Sequence, residues 1–124
     1  MSIWPPEDRS LLADTYALVL IVGEGDGSPG VEIGMVVVGG ELYVRAYRGV
    51  RSRWYRAAQE DGRGTIRVGA VTRDVTLETR GLEPPAGVEA AFRAKYGELA
   101  EALVASPEAR AATIRIDPAP APAR

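Results

Sequence analysis

Read for its apolar positions, the chain alternates short β-branched runs with glycine turns and amphipathic stretches. TYALVLIV (15–22) is an almost continuous apolar run rich in branched side chains, the pattern of a strand buried on both faces. VEIGMVVV (31–38) predicts a second strand, and the paired glycines at 39–40 predict a tight turn into a third, ELYVRAY (41–47). On that third strand Leu42, Val44 and Ala46 share one face, while Tyr43, Arg45 and Tyr47 share the other. TIRV (65–68), a Gly-Ala turn and VTRDVTLE (71–78) predict a second hairpin, and ATIRI (112–116) a last strand. PEDRSLLA (6–13) predicts a helix with proline at its start and acids in its first turn. SRWYRAAQ (52–59) predicts another, with Ser52 as N-cap. The longest is expected over 86–104, where Val88, Phe92, Tyr96, Leu99 and Leu103 fall at helical spacing and Gly97 marks a kink. Six strands without regular βαβ alternation predict an α+β fold, a mainly antiparallel six-stranded barrel with two or three helices. That single domain spans 1–118, and a disordered Pro/Ala tail is expected over 119–124.

Composition narrows the chemistry. The 124 residues contain no histidine and no cysteine. The usual zinc, copper and iron ligands are therefore missing, together with Ser-His-Asp and Cys-His nucleophilic sites. Demanding chemistry would have to come with a cofactor. No metal site is expected: Glu24, Asp26 and Glu32 lack the alternation of oxygen ligands found in calcium loops. A net charge of −2 gives no general attraction to nucleic acid or an anionic membrane, and no apolar run approaches the roughly 20 residues of a spanning helix. Without a secretory signal pattern, the expected location is the cytoplasm.

Against this acidic background, LYVRAYRGVRSRWYRAAQ (42–59) carries five arginines, three tyrosines, a tryptophan and no acid. The loop at 48–53 runs into a helix N-terminus, where backbone N–H groups and the helix dipole favour a phosphate or carboxylate. Arg48, Arg51 and Arg53 are the candidate grips, with Ser52 between them and Arg45 flanking from the strand. Tyr47 and Trp54 offer flat faces to a ring system. The alternative is a solvated turn in an arginine-rich protein, with Trp54 and Tyr55 anchoring the helix in the core. Arg73 interrupts the apolar row Val71, Val75, Leu77, so an internal ion pair or a dimer contact is expected, with Glu32 or Glu41 as partner. Lys95 and Tyr96 invite an acid–base reading. Adjacent helical residues diverge by about 100°, however, which puts Tyr96 in the core and Lys95 in solvent.

In order along the chain, LYVRAYRG, WYRAA, IRVGAVTRDVTLE, FRAKYG and SPEARAATIRIDP resemble an uncharacterised, mainly actinobacterial family. Its members show LYVRS-x-x-G, WYR, IRAGGVERDV, Y-R-x-K-Y-G and ATLRI at matching places, over about residues 42–118. That family is in turn similar to the deazaflavin-dependent nitroreductase group. The resemblance implies a split, FMN-binding-like barrel, a homodimer, and FMN or a deazaflavin as cofactor. Where the nitroreductase group carries a basic T-G-R-x-S-G segment, this chain has the acidic GEGDGSPG (23–30). Two readings follow. One is a flavin- or deazaflavin-dependent oxidoreductase whose cofactor is held by Arg45, Tyr47, Arg48, Arg51, Ser52, Arg53 and Trp54. The other is a cofactor-free barrel that binds a small anionic ligand or another protein.

Overall fold

Both glycine-marked turns, at 39–40 and 69–70, join antiparallel strands as expected. The protein is described here by a computed structural model covering residues 4–23, 30–46, 49, 52–79, 87–101 and 107–119. Its strands are β1 (Ala17–Val22), β2 (Val31–Gly34), β3 (Val36–Val38), β4 (Glu41–Arg45), β5 (Arg63–Val68), β6 (Val71–Glu78) and β7 (Thr113–Pro118). Its helices are α1 (Pro6–Asp14), α2 (Arg53–Asp61), α3 (Val88–Tyr96) and the short α4 (Pro107–Ala111), with a 3₁₀ turn at Gly97–Ala100. All neighbours in the sheet are antiparallel, in the order β2-β1-β5-β6-β7-β4-β3. β7 runs to Pro118, and residues 120–124 of the expected tail lie outside the described residues.

Seven strands replace the predicted six because VEIGMVVV does not run straight. Val31–Gly34 pairs with β1, and Val36–Val38 pairs with β4, at opposite edges of the sheet. The chain crosses between those edges through Met35 alone. One bend therefore both splits the strand and draws the edges together into a nearly closed barrel. The helix count also rises above the expected two or three, through α4, which at five residues is too short to show a helical period.

The bend removes Met35 from the ladders, and its backbone groups need other partners. The Tyr96 hydroxyl accepts from the Met35 N–H at 2.8 Å, and Lys95 Nζ donates to the Met35 carbonyl at 2.8 Å. Tyr96 donates in turn to the Tyr16 carbonyl. Lys95 is thus half-buried, where solvent was expected. Its flexible stem folds back so that Nζ lies 5.4 Å from the centre of the Tyr96 ring, and the two neighbours converge on one residue. Burial lowers the Lys95 pKa and is the largest influence raising that of Tyr96. Gly34 makes room for this clasp: a Cβ there would stand 3.0 Å from the Tyr96 ring.

The barrel interior is filled by Leu18, Leu20, Leu42, Val44, Ile66, Val75, Ile114 and Ile116. Trp4 joins them, its Nε1 donating to the Ile116 carbonyl at 2.9 Å. β1 is buried on one face only: Leu18 and Leu20 point inward, while Ala17, Val19 and Ile21 are partly covered. β4 is buried on both faces. Its outer side packs Tyr43 under α3, beside Val88 and Phe92. Gly97, at φ +60°, ends α3 where the kink was expected. Beyond it Leu99 leaves the core. Arg73 makes the expected internal ion pair, but with Asp8, whose carboxylate meets its Nε and Nη2 at 3.2 and 3.3 Å. Neither Glu32 nor Glu41 takes that place, because α1 lies nearer to this exposed position on β6.

Candidate functional site

The basic stretch divides at the end of β4. Arg45 closes that strand on its outer face, 2% exposed, in a position covered by α3. Its Nη2 meets Glu89 Oε1 at 3.0 Å, its Nε donates to Thr113 Oγ1 at 2.9 Å, and its guanidinium stands 5.6 Å from the centre of the Phe92 ring. Burial pushes the Glu89 carboxyl up, but the Arg45 hydrogen bond and the nearby Arg45 and Arg110 charges outweigh it and hold it below its ordinary range. Arg45 therefore braces β4, β7 and α3 against one another, whereas Arg53 and Trp54 belong to α2.

Past Ala46 a series of backbone turns leads into α2. Gly49 N–H bonds Ala46 O, Ser52 N–H bonds Gly49 O, and Arg56 N–H bonds Ser52 O. Gly49 has φ +76° and passes so close to α4 that a Cβ would meet Glu108 Cβ at 2.8 Å. Ser52 occupies the N-cap position with extended backbone, as predicted, but its side chain makes no cap bond. Its Oγ is buried and has no hydrogen-bond partner. Tyr47, Arg48 and Arg51 lie outside the described residues.

α2 anchors itself through Tyr55 and Ala58, one turn apart and both buried, with the Tyr55 hydroxyl 3.5 Å from the Ala111 carbonyl. Trp54 is mostly buried, as the anchoring reading expected. It packs against the outside of the core and lines a cleft between α2 and β1–β2. That cleft, about 280 Å³, is lined by Leu20, Val22, Gly30, Val31, Arg53, Trp54 and Ala57. The first turn of α2 contains no acid, so the helix dipole and Arg53 act with the same sign there. An aliphatic wall, one indole face and one guanidinium at a helix start can receive a planar apolar group bearing an anion. Leu20 and Val31 were legible only as strand core, since their place on this cleft depends on where α2 docks.

No described helix is long and apolar enough to cross a membrane. Among solved structures, the chain is similar to the conserved hypothetical protein Rv2991 from Mycobacterium tuberculosis. The TM-score is 0.58 at 15% identity, over 93% of this chain and 79% of that one. It is also similar to a Listeria innocua protein named "Putative Pyridoxamine 5'-phosphate oxidase", with TM-score 0.57 and 12% identity over 92% of this chain and 90% of that one. At such identities the likeness is one of fold, a split barrel. No curated protein matches the sequence. The family match runs from the end of α1 to β7, residues 14–116, taking in the sheet and the bend at Met35, and on it the chain belongs to the family described as "Uncharacterized protein conserved in bacteria (DUF2255)".

Proposed function

We propose that the α2 cleft holds a flavin- or deazaflavin-type cofactor by its phosphate-bearing end and that the protein is an oxidoreductase. The observation that carries this reading is the joint presence of Arg53 and Trp54 on one aliphatic-walled cleft at the start of α2. Arg53 and the free backbone N–H groups of the first helical turn would take the phosphate. Trp54, with Leu20 and Val22 opposite, would hold the ring and exclude water from one side of it. When bound, such a ring supplies the redox chemistry that a chain without histidine or cysteine lacks. At about 280 Å³ the cleft of one chain lies just below the roughly 300–1,000 Å³ of ordinary ligand pockets, which suits completion by a second copy in a homodimer.

The test is titration of FMN and of a deazaflavin separately, followed by ligand fluorescence. The expected result is saturable binding that Arg53→Ala weakens by about 1.5–3 kcal/mol, the worth of a charged hydrogen bond. Absence of binding at high micromolar ligand overturns the proposal.

One observation favours a second reading, a cofactor-free barrel for a small anion. Gly30 lines the cleft, and the sequence just before it, GEGDGSPG (23–30), lacks the arginine with which the nitroreductase group's corresponding segment helps to hold its cofactor. Binding of inorganic phosphate or citrate, with neither ring cofactor bound, would select it.

A further inference from the structure

Tyr16 and Leu99 are the exposed large hydrophobic side chains among the described residues, at 59% and 73%, and both line one cleft of about 230 Å³. Single apolar side chains scattered over a surface are ordinary; two that converge mark a binding place. This cleft sits at the Ala17–Gly34 end of the β1–β2 ladder, whereas the α2 cleft takes its strand residues from the other end. Ile33, Gly34, Tyr96 and Glu32 help to line it.

The walls are built rather than incidental. Tyr96 is fixed by its bonds at Met35 and by the space above Gly34. Tyr16 meets it edge to face, with ring centres 4.9 Å apart and planes at 77°. Gly97 ends α3 and turns the chain so that Leu99 forms the outer wall instead of entering the core. The one charged residue of the lining is acidic, and the Lys95 ammonium stands behind the lining, 5.4 Å from the centre of the Tyr96 ring. Glu32 is exposed and makes no ion pair among the described residues, and tyrosine rings present electron-rich faces. Lys95 does not line the cleft, because its ammonium is bound to the Met35 and Leu12 carbonyls.

We propose that this cleft binds a small organic cation: an ammonium group carrying an apolar or aromatic body about the size of an amino-acid side chain. The body lies against Tyr16 and Leu99, and the charge is met by Glu32 and the Tyr16 face. The size of the cleft and its unpaired carboxylate favour this occupant over a protein surface, which would need a far larger patch.

Benzyltrimethylammonium titrated into the full chain tests the proposal, with benzyl alcohol and phenylacetate as neutral and anionic counterparts. The readout is the amide resonances of Ala17, Gly34 and Leu99. The cation should give saturable shifts, the alcohol should bind about fivefold more weakly, and phenylacetate should give none. Glu32→Gln should weaken the cation by about three- to fivefold and leave the alcohol unchanged. Tyr16→Ala should weaken both. Equal affinity for cation and alcohol, or an indifferent Glu32→Gln variant, overturns the proposal. So does the absence of saturable shifts at millimolar probe. Shifts of the same amides with protein concentration alone would make the cleft a contact between copies, and would also overturn it.

Discussion

On the α3 side of the barrel, Arg45, Glu89, Thr113 and Arg110 form one connected set in which each charged group faces a partner. On the α2 side, Arg53 and Arg56 reach solvent with no ion pair among the described residues, and a serine hydroxyl is buried without a bond. The two sides draw on the same run of sequence. The difference teaches that a cluster of arginines is not a unit. The fold consumes the cation on the strand as a brace and leaves the cation at the helix start available for a ligand.

The comparison breaks most visibly at Arg45. Arg45→Ala empties a fully buried site beside Phe92 and removes a partner from Glu89 and from Thr113, and should cost about 2–5 kcal/mol in denaturant unfolding. Arg53→Ala, at an exposed site, should stay within about 0.5 kcal/mol of the parent. Equal losses would show that the two arginines share one role.

A smaller effect separates the sides by pH. Burial first, and then the 2.8 Å hydrogen bond to Glu41, raises the Tyr43 pKa from 10.0 to about 12. The unfolded chain releases this proton first, so stability is lost as the pH rises from 10.0 toward about 12. The expected loss is about 2–3 kcal/mol. Lys95 acts in the opposite sense, since its lowered pKa makes stability rise as the pH approaches its ordinary 10.5. The measurement is therefore the difference in unfolding free energy between the parent and Tyr43→Phe across that range, which isolates the tyrosine.

The smallest effect sits at the seam. Tyr96→Phe removes the acceptor of the Met35 N–H and the donor to Tyr16, and should cost about 1–3 kcal/mol. Hydrogen exchange at the Met35 amide should quicken beyond that of the neighbouring β1 amides. If it does not, Lys95 alone holds the bend.

What the sequence made legible follows from what is local. The hairpin turns, α1, α2 and the break at Gly97 are written in neighbouring residues, and all are present. The bend at Met35 is not, because VEIGMVVV has the same apolar character on both sides of it and the ladders that separate its halves lie far along the chain. Lys95 was misplaced for a related reason: the angle between adjacent helical residues constrains Cβ directions, not the reach of a long stem. At the candidate site, Arg53 and Trp54 were found from charge and helix position. Arg45 was read as a flank, because Glu89 and Phe92, which cover it, come more than forty residues later.

The place of β7 in the sheet has a consequence for synthesis. It lies between β6 and β4, and its Ile116 carbonyl receives the indole of Trp4. A nascent chain on the ribosome can form the β5–β6 hairpin early, since its partners are adjacent. The β3–β4 hairpin is equally local, but the other edge of β4 and the Trp4 indole must wait for residues 113–118. Pairings so distant along the chain put this barrel among the slower-folding topologies, since each must close a long loop before its contacts form.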